Sequence, residues 1–364
     1  MTSLNIKYRR QPYADNDCEL VTFLHPGYPD GQNVLLILPA VDRGGIHHGT
    51  ALSACAILAN CNWDGFLSTT RYGRPIKDSM SDVLKSQQYY FCIRNGYIFL
   101  FSLLLDGMLV LIKLVDDQYP VIPSFAHFSC PTTLPFLWDH IMAPAINPAT
   151  TDDVVTRDKT CRVTASHEPN EVALIIPESQ SEWWQRNGMF NHTNNTDPSA
   201  GIHSADNAIL LRSDLHKLWD EHRFTIVPKV SKWMIHVLWK SPWEDLEKDY
   251  QNLQLQELHG VSRHLLFCRH ALAIFSKSVF LSQGVPRNLV TINSDGTTQA
   301  RIYSFDEYKC FLSPVSMANS LSHSPGGQQQ QQQQQQEEQQ QEQQEQEQQP
   351  QEHQEQQQEH QEQQ

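Results

Sequence analysis

The sequence predicts an α+β fold, and three observations point that way. Short apolar runs that read as strands, such as Asn33 to Leu38, are interspersed with stretches of helical spacing such as Thr50 to Asn60. The run Asp206 to Lys229 reads as strand, helix and strand in close succession, with chemistry-bearing side chains on the helix. The last 37 residues, from Gln328 on, are almost pure Gln and Glu, which leaves a folded part of about 310 to 325 residues, ample for a large core.

Charge and cysteine usage narrow the class of protein. The formal net charge is −14, and the tail carries nine Glu and no Lys or Arg, leaving −5 for the rest. A body that is not basic argues against broad electrostatic binding of nucleic acid, though a local patch could still serve. The eight cysteines form no Cys-x-x-Cys pair and no even framework, and no apolar signal segment stands at the N-terminus. Reduced thiols follow, with an intracellular location in nucleus or cytoplasm, and zinc held by cysteines lacks the spacing it needs.

Taken in order, residues 1–32 are polar and turn-rich, with Pro26, Gly27, Pro29 and Gly31 marking a loop. The strand Asn33 to Leu38 follows, then a helix from Thr50 to Asn60 that is apolar nearly all round and so is expected to be buried. His47 and His48 precede its first turn, as a ligand contact or as partners of loop hydrogen bonds. Tyr97 to Val115 is 19 residues long and close to membrane-spanning length, but Asp106-Gly107 at its middle is a hairpin signal. A central Asp costs roughly 2.5 to 3.5 kcal/mol on insertion, so a buried hairpin is the reading and no stable membrane insertion is expected. Tyr119 to Phe125, with two prolines, suits an edge strand or extended loop.

The chain then divides. A mixed α/β N-terminal region spans 33–146, a polar linker 147–160, a domain 161–240, a C-terminal helical region 241–313 and a disordered Gln/Glu-rich tail 314–364. Within 161–240, Cys161 to Thr164 and Glu171 to Pro177 read as strands across a polar turn, and a short helix carries Trp183 and Trp184. Ala208 to Leu211 reads as a buried strand, Ser213 as the cap of a helix from Asp214, and Arg223 to Val227 as strand again. On that helix His216 and Asp220 lie four residues apart, so they project from one face and can share one metal ion. A long packing helix is expected from Ser262 to Ser282, closed by Gly284, with Arg269 and Lys277 on its wetter side.

The stretch from Cys161 to Lys229 resembles the HNH nuclease domain in the version common in fungal proteins. The resemblance rests on Cys-x-Val-Thr from Cys161, Ile-Ile-Pro from Ile175, Trp-Trp-x-x-Asn-Gly-Met from Trp183, and Asp-Asn-x-Ile-x-Leu-Arg-x-Asp-Leu-His from Asp206, with Asp220 and Val-Pro-Lys behind it. It implies a ββα-metal core, a strand pair and a helix around one divalent metal ion (Mg, Mn or Zn), embedded in the mixed body. It implies hydrolysis of nucleic-acid phosphodiesters. Carried over by position, Asn207 is the orienting Asn, His216 the metal-binding His and Asp220 a second ligand, while Arg212 is a candidate phosphate contact. The chain departs from the family at Leu174, where the first His, the general base, is expected. A leucine can neither accept a proton nor bind a metal. His167, Glu171 and His203 are the substitutes at hand, but Glu171 is three residues from Leu174 on a strand and so faces the other way. The resemblance therefore supports either a working or weakened endonuclease, or a degenerate module that binds or regulates without hydrolysis. Oligomeric state is not legible.

Overall fold

The computed structural model of the protein describes residues 19–94, 115–116, 118–141, 154–193, 198–239, 245–293 and 295–312. The apolar run from Tyr97, all but its last residue, and the Gln/Glu-rich tail lie outside the described residues. Helix and strand are mixed throughout, as an α+β fold requires.

The N-terminal part is built on one sheet. β1 (Leu20–Leu24) lies where the sequence reads as polar loop, and it forms because Val21 and Phe23 are buried at strand spacing. It pairs antiparallel with β2 (Val34–Pro39), the expected apolar strand. β3 (Ile46–His47) leads into α1 (His48–Leu58), and β4 (Gly65–Ser68), β5 (Val83–Leu84), β6 (Gln88–Arg94) and β7 (Val115–Asp116) follow. The sheet order is β2-β1-β6-β4, with β7 on β6, and β1 runs parallel to β6. Ala, Ser, Cys and Gly dominate α1, so it is buried all round as its composition demands. Its N-cap is His47, whose Nδ1 accepts the Thr50 N–H at 3.2 Å, while His48 Nδ1 lies 3.1 Å from the Ser79 carbonyl. Both histidines thus serve loop and cap.

The second part begins with α2 (Phe136–His140) and α3 (Val154–Asp158). α3 falls in the stretch that reads as linker, yet Asp158 is buried and accepts the Leu210 N–H at 2.8 Å. Residues 161–164 are a turn, not a strand, because the strand partner of β8 (Asn170–Leu174) is supplied from further on. After α4 (Ser181–Arg186), β9 (Ala208–Arg212) pairs antiparallel with β8 in the register Glu171↔Leu211, Ala173↔Ile209 and Leu174↔Ala208. α5 (Ser213–Asp220) follows directly, then the hairpin of β10 (Phe224–Lys229) and β11 (Lys232–Val237), turned by Val230 and Ser231 at positive φ. The C-terminal part holds α6 (Asp245–Tyr250), α7 (Arg263–Phe275), a hairpin of β12 (Arg287–Ile292) and β13 (Thr298–Tyr303), and α8 (Phe305–Tyr308).

α7 is shorter than the pattern suggests: it is capped by Ser262, ends at Phe275, and gives way to turns and a 3-10 segment before Gly284. It joins two apolar cores. Leu265, Leu266 and Phe267 pack with Trp183, Trp219 and the β8–β11 strands. Ala273 and Ile274 pack instead with the N-terminal sheet, Phe280 and Tyr308. Arg269 is the main correction on this helix, for it is 1 % exposed and not on a wet side. Its guanidinium lies 4.2 Å from the centre of the Trp219 ring and donates to the carbonyls of Trp219 and, at 3.4 Å, Ile175. Burial pulls its pKa down to about 9, against the pull of Asp220.

One polar chamber interrupts the interior. Asp42 Oδ1 accepts from Gln251 Nε2 at 2.7 Å, Asn252 Nδ2 at 2.8 Å and Lys229 Nζ at 3.3 Å, while Oδ2 accepts the His47 N–H at 2.7 Å. Lys229 also reaches His236 Nδ1 at 3.0 Å and Asn252 Oδ1 at 2.7 Å. The chamber ties the N-terminal sheet to the β10–β11 hairpin.

Candidate functional site

The site is assembled at the end of the β8–β9 pair, where α5 starts. Four consecutive buried residues, Ala208 to Leu211, make β9 a covered strand, and the chain turns at Arg212 into the helix. Ser213 is the first helical residue and not the cap. The amphipathic helix buries Leu215 and Trp219, leaving His216 and Asp220 together on an outer face.

Asn207 is fully buried and acts on backbone. Its Oδ1 accepts the Ile176 N–H at 2.9 Å, and its Nδ2 donates to the carbonyls of Ile176 at 2.9 Å and Ile202 at 2.8 Å. It therefore fixes the segment just after β8 rather than orienting a catalytic side chain. Asp206 and Asn207 lie in a 3-10 turn, so strand alternation does not describe them.

His216 is held between two carboxylates. Nδ1 lies 2.8 Å from Glu171 Oε2, and Nε2 lies 3.4 Å from Asp220 Oδ2. The hydrogen bond from His216, and Ser213 after it, hold the Glu171 carboxyl below the usual range. Glu171 was a substitute that strand alternation placed on the far side from Leu174, and that geometry is what delivers it to His216. The register Glu171↔Leu211 sets it beside the start of α5, a relation that the pairing of the two strands alone would have revealed.

Leu174 is elsewhere. Ala173 faces the main core with Ile209 and Leu211, while Leu174 packs on a small outer cluster of Val154, Ala208 and Leu210. Its carbonyl accepts the Trp219 Nε1–H at 2.9 Å, so the backbone at 174 is tied to α5 although the side chain is apolar. Arg212 is occupied by Asp214, through Nε at 2.6 Å and Nη2 at 2.7 Å, and by the Tyr250 hydroxyl at 2.8 Å. Asp214 above all raises its pKa further. His203 lies 3.7 Å from Glu178 and is exposed, away from this group. His222 sits at the C-terminal end of α5 as expected, but burial first, then Arg269 and Lys277, push it down to about 3, so it is neutral there.

The donors present do not make up a metal site. His216 Nε2 and Asp220 Oδ2 can face one ion while Nδ1 bonds Glu171 in the way that orients a ligating histidine. Among the described residues no third protein donor joins them, and no group of three or more His, Cys, Asp or Glu side chains there could hold a metal ion. No helix among the described residues is long and apolar enough to cross a membrane.

With this geometry in view, comparison with known families gives a match to a model described as HNH endonuclease over residues 161–227. No curated protein and no solved structure gives a significant match. The chain thus contains an HNH-type nuclease domain, running from the turn at Cys161 through α5 and into β10.

Proposed function

We propose that the HNH-type domain has kept the ββα fold of a nuclease and has given up its metal-dependent reaction, acting as a binding or regulatory module on nucleic acid inside the cell. The observation that carries this reading is Leu174, set in an apolar cluster with Val154, Ala208 and Leu210 where the family has its first histidine. Loss of a general base alone costs roughly 100 to 10,000 fold in rate. The donor set at His216 and Asp220 supports the same reading, since among the described residues no third protein donor joins these two. Nucleic acid as the partner rests on the family match.

A weakened endonuclease is the second reading, favoured by the carboxylates that still bracket His216. Plasmid nicking by the purified chain in Mg2+, Mn2+ or Zn2+ separates the two. The expected result is an inert wild type that still retards DNA or RNA. Metal-dependent nicking gained by Leu174→His and removed again by His216→Ala would place the loss at position 174. Wild-type cleavage abolished by His216→Ala would overturn the proposal.

A further inference from the structure

Thiols from separate parts of the chain meet two histidines on the seam between α7 and the HNH-type domain. Cys61 follows α1, Cys130 stands in the loop before α2, and Cys268 is on the inner face of α7; all three are free. Cys268 belongs to the main apolar core against which Cys130 packs; the Cys130 thiol can donate to the Pro131 carbonyl at 3.8 Å, and His192 Nε2 lies 3.9 Å from the same sulfur. The His192 ring stacks on His264 with centroids 4.2 Å apart. Asn187 Oδ1 accepts the Cys130 N–H at 2.8 Å and pins the loop to the end of α4.

The two thiols, packed at the same core, are unequal. Cys130 is half-buried, and its thiol is held down to about 6, by Cys268 first and by His192, against the effect of burial. Cys268 is fully buried, and burial together with Cys130 pushes its thiol well up. Cys61 is pushed up to about 12 by burial and then by Cys130. One sulfur is therefore nucleophilic and reachable, and a protonated sulfur lies in the core it packs on.

We propose that Cys130 is an oxidisable thiol that reacts with a hydroperoxide and is then closed into a disulfide by Cys268. In the first step the Cys130 thiolate attacks a peroxide oxygen, so an S–O bond forms and the O–O bond breaks. Two electrons pass from sulfur to the peroxide, whose second oxygen leaves as an alcohol or water after taking a proton. In the second step the Cys268 sulfur attacks the sulfenic sulfur, the S–S bond forms, and the hydroxyl leaves as water with the Cys268 proton. The disulfide joins the Cys130 loop to α7 and takes the thiolate away from His192, which lies within the 161–227 domain. This inference is independent of whether that domain hydrolyses anything.

The test uses the reduced full chain, treated with equimolar hydrogen peroxide, then alkylated and mapped by peptide mass spectrometry. The expected product is a Cys130–Cys268 linked peptide, formed while the exposed Cys310 stays alkylatable. A second measurement, needing no variant, follows alkylation of Cys130 against pH, with a midpoint near 6 in place of the ordinary about 8.5. His192→Gln should move that midpoint upward, and Cys268→Ser should leave Cys130 as a sulfenic acid that a cyclic 1,3-dione traps. Oxidation of Cys310 with Cys130 and Cys268 left as free thiols, or a Cys130 midpoint near the ordinary value, overturns the proposal.

Discussion

His216 and the chamber around Asp42 are built from the same residue types, and they behave in opposite ways. At the start of α5 a half-exposed histidine stands between Glu171 and Asp220, both of which reach water. In the chamber, His47, His236 and His270 are buried with Asp42 and Lys229, and nitrogens of all three rings lack a hydrogen-bond partner. The first arrangement is cheap to make and cheap to lose, since exposed pairs contribute roughly 0 to 1 kcal/mol. The second binds the N-terminal part to the β10–β11 hairpin, and it holds only while the histidines stay neutral and Asp42 and Lys229 stay paired. Residues that look like a site therefore matter little to the fold, whereas residues with no motif hold its two parts together.

Acid should separate the two regions most. Burial, with Lys229 adding to it, pushes His47 down to about 4, and burial pushes His270 down to about 3, both from an ordinary 6.5. Burial also depresses His236, with Lys229 acting in the same sense. The unfolded chain takes up these protons as the pH falls through 6.5 while the folded chain does not, so stability is full above that value and declines below it. Each such histidine adds up to about 1.4 kcal/mol per pH unit to the slope. Urea unfolding followed from about pH 7 to about pH 4.5 should show the midpoint falling steeply. A flat profile would mean that the chamber histidines are charged in the folded protein.

Asp42→Ala comes next. It leaves Lys229 buried without its counter-charge and the side-chain amides of Gln251 and Asn252 without their acceptor, at a cost of about 3 to 5 kcal/mol. Asp42→Asn keeps the shape and separates loss of charge from loss of contact. A urea midpoint unchanged in Asp42→Ala would show that water replaces the carboxylate.

The two regions also differ in how far they could be read in advance. His216 and Asp220 are four apart on an amphipathic helix, and helical spacing alone puts them on one face. The strand–helix succession of β9 and α5 was legible for the same reason, being local. The chamber draws on positions 42, 47, 229, 236, 251, 252 and 270, which only the packing of α1 and α7 against the β10–β11 hairpin brings together. Arg269 shows the limit most sharply. Charge on a helix is ordinarily a sign of the wet face, yet the Trp219 ring and two carbonyls supply what water would. Glu171 faces away from Leu174, as alternation along one strand predicts, but its place beside α5 depends on the register with β9, which alternation does not carry.

The smallest effect expected is that of His216→Ala on stability. Its ring packs into no buried cluster, and its partners on either side remain solvated when it is removed. Loss of the ring relieves no strain and opens no cavity, so the urea midpoint should move by no more than about 0.5 kcal/mol. A loss of 2 kcal/mol or more, on the order of a buried contact, would mean that Glu171, His216 and Asp220 form a structural clamp between β8 and α5. That result would also change how the nicking test is read, because inactivity of His216→Ala would then report an altered fold and not a missing ligand. Measuring stability and nicking on the same preparation keeps the two apart, and a variant that is stable yet changes the activity gained by Leu174→His assigns His216 to the chemistry alone.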